Sequence, residues 1–275
     1  MTTATAAAPS ALAQELLAAW DLGRCLPSPP SARSGGLDMA QAQAVAAELR
    51  ALRRARGEQP RGWKIGFTNR GLWQRYGVHQ PIWGAVWDRG LALLDGTEAT
   101  LSLAGLCQPR LEPEIVFGIA QVPRPGMGLA EVQACIDWVA HGFEVVHTHC
   151  EGWRFTAADT VTDFGLHGRL FVGPRVPAGS WPAMAADLPL VTLDLLEGET
   201  LRESGQGANV LDGPVQALQA LVEGMACSPG GAALAAGDVV TTGTWTDAWP
   251  LQPGQVWRTR LSDARLAGLR LTVVV

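Results

Sequence analysis

Arg110, Glu112 and Glu114 stand two apart in the run Arg110-Leu-Glu-Pro-Glu-Ile-Val-Phe117. In a strand, residues two apart share a face, so these three project together while Leu111, Pro113 and Ile115 face the other way. Two carboxylates about 7 Å apart at Cβ either converge on one cation or repel each other. Pro113 cannot donate to a sheet ladder and marks an edge or bulge where the strand bends. A third carboxylate, Glu144, sits alone in the apolar run His141-Gly-Phe-Glu-Val-Val-His147. Three carboxylates and water make a hard, oxygen-rich site suited to Mg²⁺ or Mn²⁺. For an isolated Glu-x-Glu, a solvated strand face with Arg110 neutralising one Glu is the simpler account. The apolar residues flanking both segments weigh against it. His147 and His149, followed by Cys150, offer a softer-metal alternative, but no third ligand has recognisable spacing.

Lys64 is the chain's only lysine, the rest of the Lys+Arg total of 21 being arginine. Arginine carries a fixed planar fork and keeps its proton, whereas a lysine is compact and tunable by burial. One lysine kept between Gly62 and Gly66 is either chance in an arginine-biased sequence or a point charge that a site needs.

The elements that must hold these residues follow from periodicity. Residues 1–9 are expected to be disordered. Ala11–Leu22 has helical spacing, with Leu12, Leu16, Leu17 and Trp20 along one side. After a Pro/Ser/Gly loop, Asp38 caps a second helix from Met39 to about Arg56, closed by Gly57. Beyond Arg61 short apolar segments alternate with Gly and Pro, the texture of a strand-dominated body. Two helices are expected to interrupt it: Leu129 to about His141, with Val132, Ile136, Val139 and Ala140 inward, and Val215 to Met225, opened by Asp212 and Pro214. The fold class is therefore α+β, a helical extension over residues 1–60 packed on a β-rich domain over 61–275.

Composition narrows the function. With 275 residues, 47% hydrophobic and 17% charged, the chain can bury a substantial core. A net charge of -5 argues against nucleic acid as a partner, since phosphate neutralisation needs a concentrated basic surface. No apolar run reaches the roughly 20 residues that cross a bilayer. The N-terminus lacks a basic region and a clean apolar core, so no signal peptide is read. Five cysteines without CxxC spacing fit a reducing cytoplasm better than a disulfide framework. Eleven tryptophans are mostly packing residues, with one or two available to line a pocket for a flat substrate.

Five segments, in order, resemble the fumarylacetoacetate hydrolase superfamily, in its 2-keto-4-pentenoate hydratase and 4-oxalocrotonate decarboxylase branch. RGWKIGFTNRGLWQRYGVHQPIWG is similar to that branch's GxKxGxT…GVxxPxxG segment, and RLEPEIVFGIA to its ExE metal strand. IDWVAHGFEVV and ADTVTDFGLHGRLFVG resemble the third-ligand strand and the DTVAD segment. GQGANVLDGPVQALQALV resembles GxGxxVLGxPxxALxWL, and VVTTGTWT the SGxxT strand. Together they cover Arg61 to Leu261. The resemblance implies a mixed β-roll or barrel-like sheet wrapped by helices, with active sites in homo-oligomers or with a homologous partner subunit. It implies Glu112, Glu114 and Glu144 as ligands of Mg²⁺ or Mn²⁺ and Lys64 as the active-site lysine. Asp159 falls in the DTVAD segment as a further catalytic residue, and Arg110 and Thr244 fall where substrate binds. The chain departs from the pattern at His79 and Ile82, where the branch has GVDxPD, and at Asp163-Phe-Gly-Leu-His167, where hydratases read DNAS. His79 and His167 then become the candidate acid/base groups near neutral pH. The implied activity is hydration of a small 2-oxo or 2-hydroxydienoic acid through a metal-stabilised enolate. The same chemistry serves decarboxylation or C–C hydrolysis, and a non-catalytic partner subunit is the alternative from another class.

Overall fold

The computed structural model describes residues 10–228 and 231–275, and the disorder expected over residues 1–9 lies outside them. Ser10 caps the first helix, Ala11–Leu22, through a side-chain bond to the Ala13 amide. Asp38 closes a full capping box with Gln41 at the start of Met39–Ala55. The two helices pack on each other through Ala13, Leu16, Ala19, Val45 and Leu49, and on the body through Phe164. Ala42 of the second helix reaches Ile82, Ala158 and Val161.

Two sheets make the body, which is mixed α and β with one curled sheet. In the nine-stranded sheet the path runs Ile82–Trp87, Pro60–Gly66, Val239–Thr244, Arg110–Ile119, Ile136–Val146, His167–Val172 and Leu91–Leu93. Its neighbours are antiparallel except Pro60–Gly66 with Val239–Thr244 and Leu91–Leu93 with His167–Val172, which are parallel. The five-stranded sheet is Thr200–Gln206, Thr192–Glu197, Val256–Leu261, Arg270–Val274 and Glu98–Ser102. Leu111, Ile115, Phe117, Phe143 and Val145 from the large sheet join Leu193, Leu195 and Trp257 from the small one in the main core. The opposite face carries Val116, Ala140, Leu170 and Val172. Alternation along Arg110–Ile119 thus sends odd residues to the main core and leaves Glu112 and Glu114 on the other face, as the spacing requires.

One expected element is corrected. The helix from Leu129 ends at Ala134, and Ile136–Val146 is an eleven-residue strand. Val132, Ile136, Val139 and Ala140 fit a helical stripe on spacing alone. The run from Ile136 is rich in β-branched and aromatic residues and pairs along almost its whole length with Arg110–Ile119. Tertiary pairing overrides the local pattern. The later helix runs Pro214–Ala226 with Pro at its first position, but its N-cap is Gly213. Asp212 is instead paired with Arg70 at 2.6 Å.

Candidate metal centre and cavity

Glu112 and Glu144 lie directly opposite each other across the antiparallel pair Arg110–Ile119 and Ile136–Val146. Like charges in that relation destabilise a sheet unless something positive sits between them. Glu114, two residues along on the same face, completes the group, and one ligand oxygen from each of the three lies within 4.8 Å of the others. This is the only such cluster among the described residues.

Glu114 and Glu144 are each held from one side only. Glu144 Oε1 accepts from His167 Nδ1 at 2.8 Å and lies 3.4 Å from Lys64 Nζ. Glu114 Oε2 accepts from the Thr241 hydroxyl and from the Gly243 amide, the latter at 2.7 Å. Those last two donors come from an irregularity in the pairing between Thr241 and Thr244. Gly243 has φ +102, and a Cβ there would sit 1.9 Å from Thr68 Oγ1, so only glycine can present its N–H in this way. The far oxygens, Glu114 Oε1 and Glu144 Oε2, are buried without a hydrogen-bond partner. Buried polar atoms are almost always satisfied, and two orphan carboxylate oxygens in one cluster call for a ligand.

Electrostatics agree. Burial, reinforced by Glu144, pushes Glu112 up to about 7 even though Lys64 opposes the shift. Burial and then Glu144 and Glu112 push Glu114 well above the usual carboxylate range. Burial would also raise Glu144, but Lys64 and His167 outweigh it and hold that carboxyl below its ordinary value. Burial would lower Lys64, yet Glu144, Glu112 and Glu114 together keep it above its ordinary value. One ammonium therefore faces three carboxylates. The excess negative charge, the all-oxygen donors and the orphan atoms fit a hard divalent cation.

Above the cluster opens a cavity of about 410 Å³ whose wall includes Lys64, Arg110, Glu112 and Thr244. Arg110 stacks its guanidinium 4.1 Å over the Trp153 ring. Thr244 Oγ1 accepts from the Thr246 amide at 3.3 Å. Tyr76, Trp153, Phe155 and Trp245 add aromatic surface. The structure thus brings Lys64, Arg110, Glu112, Glu114, Glu144, His167 and Thr244 together.

It does not bring the other two candidates there. His79 is exposed and lines a separate apolar cleft beside Met39 and Trp83. Asp159 is fully buried and does not line the cavity. Its oxygens accept from the Ser31 amide at 2.8 Å and hydroxyl at 2.5 Å, and from the Thr156 amide at 2.8 Å and hydroxyl at 2.9 Å. Those four donors make it the third-position partner in the capping box that Thr156 opens for Ala157–Thr162, and the anchor of the Ser31 loop. His147 and His149 are each committed through Nδ1, while their Nε2 atoms are buried without a hydrogen-bond partner. His147 Nδ1 accepts from the Cys107 amide at 3.2 Å, and His149 Nδ1 bonds Asp163 Oδ1 at 2.5 Å. Thr241 and Gly243 went unrecognised in the sequence as site residues, and Trp153 was one of several tryptophans that could line a pocket. Only the glycine in Thr242-Gly-Thr244 carried a signal, that of a close backbone approach.

Known proteins are similar to this chain in sequence and in fold. The chain is 31% identical to the 2-hydroxyhexa-2,4-dienoate hydratase of Comamonas testosteroni, over 74% of this chain and 75% of that protein. It is 34% identical to a 2-hydroxypent-2,4-dienoate hydratase of Pseudomonas putida, over 67% and 82%. It is 31% identical to the 4-oxalocrotonate decarboxylase of Pseudomonas sp. (strain CF600), over 79% and 80%. Among solved structures, the 4-oxalocrotonate decarboxylase of Pseudomonas putida G7, complexed with magnesium and adipate, superposes with a TM-score of 0.86 at 25% identity, covering 96% of each chain. Fumarylpyruvate hydrolase of Pseudomonas aeruginosa, in complex with Mn²⁺ and pyruvate, shares the fold with a TM-score of 0.56 at 14% identity, over 78% of this chain and 89% of that one. No family model matches the chain. The chain belongs to the fumarylacetoacetate hydrolase family, among its 2-keto-4-pentenoate hydratases and 4-oxalocrotonate decarboxylases.

Proposed function

We propose that this chain is a metal-dependent hydratase that adds water to a short 2-hydroxydienoic acid, with Mg²⁺ or Mn²⁺ held by Glu112, Glu114 and Glu144. The observation that carries the reading is the pair of orphan oxygens, Glu114 Oε1 and Glu144 Oε2, in a three-carboxylate cluster whose Glu112 lines the cavity. When bound, the cation supplies Lewis-acid stabilisation of negative charge on the 2-oxo oxygen. The chain's own residues do the rest. Glu144 holds the Lys64 ammonium, which donates a hydrogen bond, and a proton where needed, at the substrate's oxygen. His167 fixes the orientation of Glu144. Arg110, stiffened on Trp153, orients the substrate carboxylate. Tyr76, Phe155 and Trp153 form a flat wall for the conjugated chain. Thr244 offers a hydroxyl on the opposite strand end.

Decarboxylation is the second reading, supported by the 0.86 superposition on a decarboxylase. The alternative of a non-catalytic partner subunit gains nothing from keeping all three carboxylates and Lys64. The protein is proposed to work in the cytoplasm as a homo-oligomer. The test is an assay of the purified chain with Mg²⁺ or Mn²⁺ against 2-hydroxypenta-2,4-dienoate, 2-hydroxyhexa-2,4-dienoate, 4-oxalocrotonate and an acylpyruvate, with products identified by NMR. Addition of water, abolished by chelator, is the expected result. Release of CO₂ selects the second reading. No turnover with any substrate, together with stimulation of a catalytic homologue, selects the partner role.

A further inference from the structure

Two thiols far from each other in sequence meet beside the candidate site. Cys25 follows the first helix, and Cys107 precedes the strand that carries Glu112 and Glu114. They are 82 residues apart, yet their sulfurs lie 3.4 Å from each other. A disulfide bond is about 2.05 Å long, so each sulfur needs to move by only about 0.7 Å to close it. We propose that Cys25 and Cys107 form a thiol pair that closes to a disulfide when the protein meets a hydroperoxide, and that Gln108 relays this closure to the cavity wall.

Access and roles divide cleanly. Cys25 is half-buried and open to a small oxidant, whereas Cys107 is buried. Burial, with the bond to Cys25 adding to it, pushes the Cys107 thiol up to about 12. A second donor, Gln108 Nε2, reaches the Cys25 sulfur at 3.5 Å. Cys25 is therefore the sulfur that the oxidant meets. It attacks the hydroperoxide, the O–O bond breaks, and Cys25 becomes a sulfenic acid while an alcohol leaves (water, for hydrogen peroxide). The Cys107 sulfur then displaces the hydroxyl, which departs as water with the Cys107 proton. Two thiols lose two electrons and two protons, and the hydroperoxide takes them up.

Gln108 is what makes the pair more than a stray contact. Its φ of +52 is unusual for a side chain with a Cβ. Its Nε2 donates to the Thr148 carbonyl at 3.1 Å and to the Cys150 carbonyl at 3.0 Å. Its Oε1 accepts from the Gly152 amide at 2.7 Å, and its carbonyl accepts from Trp153 Nε1 at 3.0 Å. Trp153 is the ring under Arg110 in the cavity wall. Closing the pair pins Cys107 and therefore constrains the residue that positions Trp153.

The experiment uses the full chain with Cys227→Ser, which removes the exposed thiol that would link copies together. Reduced protein is treated with hydrogen peroxide, alkylated in denaturant and mapped by mass spectrometry. The expected result is a loss of about 2 Da, two fewer alkylated thiols, and a Cys25–Cys107 cross-linked peptide that dithiothreitol reverses. The thermal midpoint of the oxidised protein should rise by roughly 5–10 °C, because the closed loop is long. Amide exchange over residues 151–154 should slow by about tenfold. Adding Cys25→Ser, or Cys25→Ala should the first prove unstable, removes all three effects. Cys25 and Cys107 both remaining alkylatable, or Cys25 running on to sulfinic acid, overturns the pairing. A disulfide formed with unchanged exchange over residues 151–154 overturns the relay through Gln108.

Discussion

Two clusters of buried ionisable groups, one on the strand Ile136–Val146 and its neighbours and one just beyond the end of that strand, behave oppositely. Around Asp163, both carboxylate oxygens are answered internally, although the His147 and His149 Nε2 atoms are buried without a partner. Its Oδ2 accepts from the Thr148 hydroxyl and the His149 amide, both at 2.8 Å, and its Oδ1 meets His149 Nδ1. Trp20 closes the top, edge-on to His147 at 4.7 Å. Around Glu114 and Glu144, each carboxylate is gripped by one oxygen and left bare at the other. The difference teaches how to tell a structural polar network from a binding site when both are equally buried. A carboxylate with both oxygens answered marks the first, and like-charged carboxylates each left with one bare oxygen mark the second.

The comparison breaks most sharply at Glu114. Glu114→Gln keeps the acceptor for Thr241 and Gly243 but removes charge from the cation site. Turnover should fall by about 10³-fold or more while the melting temperature holds or rises, since a repelling carboxylate is gone. Parental turnover, or Mn²⁺ affinity unchanged by calorimetry, would show that Glu114 is not a ligand.

The mirror-image change is Asp163→Ala. It strands the Thr148 hydroxyl, the His149 amide and the His149 ring, so folding stability should drop by about 3–5 kcal/mol. Denaturant titration measures this, and turnover per folded molecule at low temperature should survive. Lost turnover with unchanged stability would erase the distinction between the clusters.

Lys64 tests the site at a smaller scale. If its ammonium acts at the substrate, Lys64→Arg should lose kcat almost as badly as Lys64→Ala, about 10²–10³-fold, under saturating metal. Near-parental turnover in the arginine variant removes Lys64 from the mechanism.

The gentlest test is pH. Glu112 sits at about 7 in the folded chain against 4.5 ordinarily, so between those values the native state holds the extra proton. Metal-free stability contributed by this group therefore falls as pH rises through that window. Cation binding must expel the proton, so apparent Mn²⁺ affinity should climb by up to about tenfold per pH unit below 7 and level off above it. Beside Asp163 the sign reverses. His147 is held neutral by burial, down to about 3 from 6.5. The unfolded chain gains a proton there first, so stability is lost as pH falls below 6.5. Affinity independent of pH would sink the carboxylate half of this pairing.

Much of the site could be read one residue at a time. Glu112 and Glu114 announced themselves by strand spacing, and Lys64 by being alone. Asp38 and the period of Met39–Ala55 foretold a helix that forms with its capping box intact. The misread stretch, Ile136–Val146, fails because a short apolar run obeys both helical and extended periods until it finds a partner strand. Asp159 and His79 failed for another reason. Both are chemically able groups, and nothing in a linear string says that Ser31 will consume one and solvent the other.

The local chain by itself determined which side chains share a face, where helices start, and which residue types could bind a hard cation. These depend on spacing, capping and charge, all of which act over a few residues. Tertiary structure alone decided that Glu144 faces Glu112, that Thr241 and Gly243 grip one oxygen of Glu114, and that His167 rather than His79 stands at the site. Each depends on strand register, and register is set by the packing of whole faces, where a slip of one residue would turn every carboxylate to the other side of the sheet.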